Sequence, residues 1–248
     1  MITVRRPPVG GWGYRRRVAE YRERASRLDR AVVWSRTMPA VAGPVTVLPD
    51  GCMDLIWTEG TLMVAGPDSR AFLAPAARAR EFVGVRFAPG TAPTLLGIPA
   101  VELLNRRVDL AQIAPSRVAR ELVDGIDNAP DRVAALEAVA LRFAAENGPV
   151  DPALTAVADA LSAGATVAET AAHTSMSARA LHRHCLFAFG YGPKMLARIL
   201  RFQRALVALR AGIPAAQTAA VTGFADQAHL SREVRDLAGC TVGTLRNR

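Results

Sequence analysis

The sequence predicts an α+β protein in two parts: an antiparallel β-rich first part with helices, then an all-α second part. Three observations carry this prediction. Short apolar runs separated by turn residues fill residues 28 to 90, the apolar spacing changes to three and four residues from about residue 91, and Asn147-Gly148-Pro149-Val150-Asp151-Pro152 interrupts the chain. A length of 248 residues suits two domains, which we place at 1–148 and 151–248.

In order, the strand candidates are Ala31-Val32-Val33-Trp34, Val45-Thr46-Val47-Leu48, Leu62-Met63-Val64 and Phe82-Val83-Gly84-Val85-Arg86-Phe87. Pro49-Asp50-Gly51 and Gly66-Pro67-Asp68 lie between them and read as turns, because proline presets φ and glycine permits positive φ. Val118 with Leu122, then Val133, Leu136, Ala140 and Phe143, recur at helical spacing. The glycine at 148 suits a helix end and the prolines at 149 and 152 cannot continue one.

Charge distinguishes the parts. The chain carries a net charge of +9, and residues 1–150 hold 20 Lys/Arg against 16 Asp/Glu, whereas residues 151–248 hold 11 against 6. From Thr170 to Ala225 there are seven basic residues and no acidic one. A solvated helical face normally mixes signs, so this segment is expected to meet a polyanion. The basic stretch from Arg15 to Arg36 is interleaved with Glu20, Glu23 and Asp29 and reads as a solvated face. The opening residues MITVRRPPVGGWGYRRR hold no apolar signal core, and Cys52, Cys185 and Cys240 lie far apart. A cytoplasmic, reducing location without membrane spans is expected.

Two units of helix, tight turn and helix follow. In the first, Val167 and Ala171 sit on a short helix that breaks near Ser175, and Ser177 is placed to cap the next helix. On that helix Leu181, Cys185 and Phe189 share an inward face at four-residue spacing, which projects Arg179 and Arg183 outward with His182 at the edge. In the second unit Gly223 supplies the turn and Phe224 is a core plug. Leu230, Val234 and Leu237 then face inward and Ala228, Arg232 and Arg235 outward, flanked by Gln227 and His229. Between the units Pro193 opens a helix to about Arg210, with Leu196, Ile199, Leu200, Leu206 and Val207 as its apolar stripe. At 1.5 Å per residue that spacer is about 27 Å long, near the roughly 34 Å of one DNA turn. A helix presenting two arginines suits the major groove, where guanidinium groups reach guanine or the flanking phosphates.

The arrangement resembles the AraC/XylS family of bacterial regulators over residues 151 to 248. The first unit matches at Ser177, Arg179, Leu181, Arg183, Gly190 and Pro193, followed by Arg201 and Ala205. The second matches at Ala219, Gly223-Phe224, Asp226-Gln227, His229, Ser231-Arg232, Gly239 and Arg246. The resemblance implies a sequence-specific DNA-binding regulator with two recognition helices in successive major grooves. Its candidate DNA contacts are Ser177, Arg179, His182, Arg183, Gln227, His229, Arg232 and Arg235, and RNA polymerase is an implied partner. Cys185, Leu230, Val234, Leu196 and Val242 depart from the family's usual residues but remain apolar. Ala225 stands where a capping serine is common, so Asp226 has to take that role if the second helix is to be capped.

For the first part, Leu48-Pro49-Asp50-Gly51-Cys52-Met53-Asp54-Leu55-Ile56-Trp57 and Val83 to Gly90 resemble N-terminal domains fused to such readers. The resemblance implies a small cupin-like barrel that binds an effector or forms a homodimer. Asp54, Trp57 and Arg86 are its candidate ligand residues. An Asp54–Arg86 ion pair that holds the sheet is weighed above a ligand contact, and Trp57 as core above a stacking platform. No histidine precedes His173, which removes a histidine-ligated metal site and a Ser-His or Cys-His pair from this part. His182 and His184 point about 200° apart on a helix and are not joint ligands. No metal, cofactor or catalytic residue is expected. Two rival classes stand beside the regulator: a basic nucleic-acid-binding or membrane-surface module without sequence specificity, and an enzyme carrying a vestigial reader. The basic helices lack the broad apolar stripe of a membrane-surface helix.

Overall fold

A computed structural model describes residues 21–38, 44–74 and 80–246. The opening segment and the Arg15–Glu20 portion of the first basic stretch lie outside the described residues.

Among the described residues eight strands occupy the first part: β1 (Tyr21–Ala25), β2 (Ala31–Met38), β3 (Val45–Val47), β4 (Met53–Thr58), β5 (Thr61–Ala65), β6 (Phe72–Ala74), β7 (Arg80–Phe87) and β8 (Arg107–Asp109). Six form one antiparallel sheet in the order β1-β2-β7-β4-β5-β8, and β3 pairs with β6 in a separate ribbon. The four runs read from the sequence fall on β2, β3, β5 and β7, with Leu48 just beyond the end of β3. Four strands have no counterpart among those runs: β4 and β6 lie inside the 28–90 stretch without being singled out, β1 is YRERA and mostly exposed, so it shows no apolar alternation, and β8 is three residues long within a stretch that otherwise spaces its apolar residues as helix.

Alternation along β4 and β7 gives the sheet two different faces. One buries Val33, Leu55, Trp57, Val83 and Val85 against three helices, α1 (Ala92–Leu96), α2 (Ser116–Asp127) and α3 (Arg132–Asn147), through Leu95, Ile126, Leu136 and Ala140. The other carries Trp34, Arg36, Asp54 and Arg86, with Val32, Arg86 and Asp54 opposite one another across three strands. Glu137 interrupts the apolar face of α3, and five donors answer it. Both Nη atoms of Arg24, the Nε of Arg27, the Ser26 hydroxyl and the Arg27 N–H donate to its carboxylate at 2.7–3.2 Å. This carboxylate fastens the β1–β2 turn to the helical layer, and the Arg24 guanidinium, foremost among these donors, holds its pKa down at about 2.

The second part is helical throughout: α4 (Pro152–Ala163), α5 (Val167–His173), α6 (Ala178–Phe189), α7 (Pro193–Arg210), α8 (Ala215–Thr222), α9 (Gln227–Ala238) and α10 (Val242–Arg246). α3 ends at Asn147 and α4 begins at Pro152 behind an Asp151 cap, so the interruption in the sequence separates the two cores. The second core runs from Leu154 to Leu245 and takes in Leu48 of the first part, with Ala71 and Leu104 packed against it.

Candidate nucleic-acid interface

α5 starts from a capping box, in which the Thr166 hydroxyl accepts from Glu169 N–H while Glu169 accepts from Thr166 N–H. It ends at Thr174, and Ser175 turns the chain with φ +53°. Ser177 then caps α6, its hydroxyl accepting from Ala180 N–H at 3.2 Å. Leu181, Cys185 and Phe189 are buried, and burial pushes the Cys185 thiol up to about 12. A thiol so held is core rather than a reactive group. Arg179, His182 and Arg183 are exposed on the far side of the helix.

The second unit repeats the plan. α8 ends on Gly223, whose φ of +81° is the left-handed turn that glycine adopts without a Cβ penalty, and Phe224 inserts into the core. α9 is capped by Asp226, whose carboxylate accepts from His229 N–H at 2.6 Å. The role left open by Ala225 is therefore filled, and the second helix is capped as well as the first. Leu230, Val234 and Leu237 are buried, whereas Gln227, Ala228, Arg232 and Arg235 are exposed. His229 is half-buried: its Nδ1 accepts from Ala225 N–H at 3.3 Å and its ring meets Phe224 edge-on.

α7 spans Pro193 to Arg210 as the spacing predicts, with one correction to its stripe. Val207 is 58% exposed, and Phe202, Ala205 and Leu209 complete the buried face instead. The acid-free basic run also needs revision. Arg201 donates to Gly223 O and lies over the Phe224 ring, Arg204 donates to Leu161 O and Ser162 O, and Arg198 pairs with Glu233. Arg179, Arg183, Lys194 and Arg210 are the exposed cations of that run. Arg198, Arg201 and Arg204 resemble free charges in the sequence because their acceptors are backbone carbonyls or a carboxylate 35 residues away.

The candidate ligand residues of the first part do not converge. Asp54 accepts from Trp34 Nε1 at 2.8 Å and faces Arg86 at 3.4 Å. Trp57 lies on the opposite face, buried, donating to Asp127 at 2.8 Å. Among the described residues no group of three or more His, Cys, Asp or Glu could hold a metal, and no helix is long and apolar enough to cross a membrane.

Two capped helices with exposed arginines, each set on a preceding helix by a tight turn and joined by a rigid spacer, define a DNA-binding domain with two readers. Comparison with known proteins agrees. Residues 170–248 match the helix-turn-helix domain family and residues 31–109 match a domain of unknown function (DUF6597). No curated protein sequence matches the chain. Among solved structures, a probable AraC family transcriptional regulator from Rhodopseudomonas palustris is 25% identical, covering 40% of this chain and 97% of that one, with a TM-score of 0.35. ToxT from Vibrio cholerae is 11% identical over 88% of this chain and 98% of that one, with a TM-score of 0.47. An unsaturated fatty acid-bound ToxT gives 11% identity, 90% and 97% coverage and a TM-score of 0.46. At such TM-scores these likenesses assign no property to this chain. Residues 170–248 form a helix-turn-helix domain, and the chain is a DNA-binding transcription regulator.

Proposed function

We propose that the chain regulates transcription in the cytoplasm by placing α6 and α9 in successive major grooves of one operator. The observation that carries the reading is the matched pair of capped helices, whose outward faces hold Arg179 and Arg183 on one and Arg232 and Arg235 on the other. Ser177, His182, Gln227 and His229 stand beside these arginines as further contacts to bases or phosphates. We assign 151–248 as the reader and 1–148 as a sensor or dimerisation domain, without catalytic activity, that answers a small-molecule effector. A homodimer and RNA polymerase are the proposed protein partners. Asp54 and Arg86 act in this scheme as a sheet-holding pair, and Trp57 as core.

The test is a titration of the full chain against random and genomic duplexes at several salt concentrations. Specific binding with log K falling against log salt by about 0.9 per phosphate neutralised is expected. Binding that ignores salt, or that shows no preference among genomic duplexes, would remove the assignment.

A further inference from the structure

The joint between α6 and α7 is the place where the first reader meets the spacer that carries the second. It does not stand free. Four segments of the first part close around it. Gly90 (φ +85°) lies so near Phe189 that a Cβ there would come within 2.7 Å of the ring. Pro67 and Ala100 close on Gly190, where an added Cβ would meet Pro67 Cγ at 2.9 Å and Ala100 O at 3.1 Å. Tyr191 is 6% exposed, its hydroxyl buried without a hydrogen-bond partner. The turn Leu48 to Cys52 reaches α7, with Leu48 inside the second part's core, Pro49 O accepting from Gln203 Nε2 at 2.6 Å and Gly51 against Leu196. The segment that holds Pro67 continues to Ala71, whose N–H donates to Leu237 O at 2.7 Å in the last turn of α9.

We infer that these segments, and the Leu48–Cys52 turn foremost, form a socket that fixes the angle between the two readers, so that the first part determines the half-site separation the protein accepts. The inference rests on α6 and α9 being the readers. A rod hinged at Tyr191 would let α9 sample several positions relative to α6; a joint gripped on Phe189, Gly190, Tyr191 and Leu196, with α9 tied at Leu237, is held to one. Leu48 is the residue that separates positioning from folding, because its side chain packs in the second part's core and not in the core of its own sheet. Its turn is a positioning element, since it lies on the joint and not on the exposed faces of α6 or α9.

The experiment uses the full chain, as wild type, Leu48→Ser, Gln203→Leu and the conservative Leu48→Met. Each is passed through selection from random duplex DNA, and hydrogen exchange is followed at the amides of 189–196, of β4 and β7, and of α9. Wild type and Leu48→Met are expected to select two half-sites at one fixed separation. Leu48→Ser and Gln203→Leu are expected to keep the base preferences within each half-site and spread over two or more separations. Their joint amides should exchange at least tenfold faster while the sheet and α9 stay protected. A joint that loosens while the separation stays single would overturn the inference, and so would a joint that exchanges as in wild type in both variants. If wild type selects no motif at all, the reader assignment fails, and the exchange arm, which needs no DNA, still decides whether the socket holds the joint.

Discussion

Arg198 on α7 and Glu233 on α9 form a forked ion pair, with Nε and Nη2 of the arginine 3.0–3.2 Å from the two carboxylate oxygens. Asp236 adds a second carboxylate at 3.6 Å from Nη2. Glu233 lies on the buried side of the second reader, 11% exposed, so the pair crosses the packing seam between the spacer and the helix it presents. Removing the arginine leaves the Glu233 carboxylate in a dry place.

Arg198→Ala is therefore expected to destabilise the protein by on the order of 2 kcal/mol, below the roughly 3–5 of a fully buried pair because the arginine is 38% exposed. Arg198→Met with Glu233→Leu should recover most of that loss, since two apolar side chains leave no charge unpaired. A double-mutant cycle by denaturant unfolding checks it. Additive single effects would show that the pair does not couple the helices.

Glu137 predicts an acid limb in stability. Its folded pKa, held at about 2 chiefly by Arg24, lies below its ordinary value of 4.5. Stabilisation from this carboxylate is therefore complete above about pH 5 and is lost as pH falls through 4.5 toward 2. Glu137→Gln should flatten that part of the stability curve and cost about 2 kcal/mol at neutral pH, because a neutral amide answers fewer of the five donors. Unfolding midpoints measured from pH 2 to 7 on both proteins decide this. An unchanged acid limb in the variant would place the sensitivity elsewhere.

The contrast between these two carboxylates shows what the sequence made legible. Periodicity exposed the inward faces of α6, α7 and α9, because Leu181, Cys185 and Phe189 repeat at helical spacing and each helix announces its start with Ser177, Pro193 or Asp226. Outward arginines followed by geometry. The partners of Glu137 and Glu233 lie 113 and 35 residues away in the chain, and no local pattern reveals pairings set by tertiary packing. For the same reason Arg198, Arg201 and Arg204 read as free charge, Leu48 reads as the end of a strand and Pro49-Asp50-Gly51 as an ordinary turn, although Leu48 enters the core of the second part. Trp57 and Asp54 stand three residues apart along a strand, and that odd spacing sends the two to opposite faces.

Asp226 sits at the start of the second reader, and its cap is expected to be worth about 1 kcal/mol. Asp226→Ala should lower stability by that amount, and Asp226→Ser should restore most of it. Binding should weaken mainly at the half-site read by α9. Equal weakening at both half-sites in a footprint would show that the cap supports the domain as a whole and not its second reader.

With both helices capped, the two readers are expected to act alike, each through its own arginines. The most direct measurement is selection of binding sites from random duplex DNA by the full chain, by Arg183→Ala and by Arg232→Ala. Wild type should yield a motif of two half-sites about one helical turn apart, roughly 10 base pairs. Each variant should lose about 1–3 kcal/mol at the preferred site and relax one or two base positions, Arg183→Ala in one half-site and Arg232→Ala in the other. An unchanged motif at full affinity in both variants would contradict the account, because the faces now assigned to the grooves would not be the faces that read DNA.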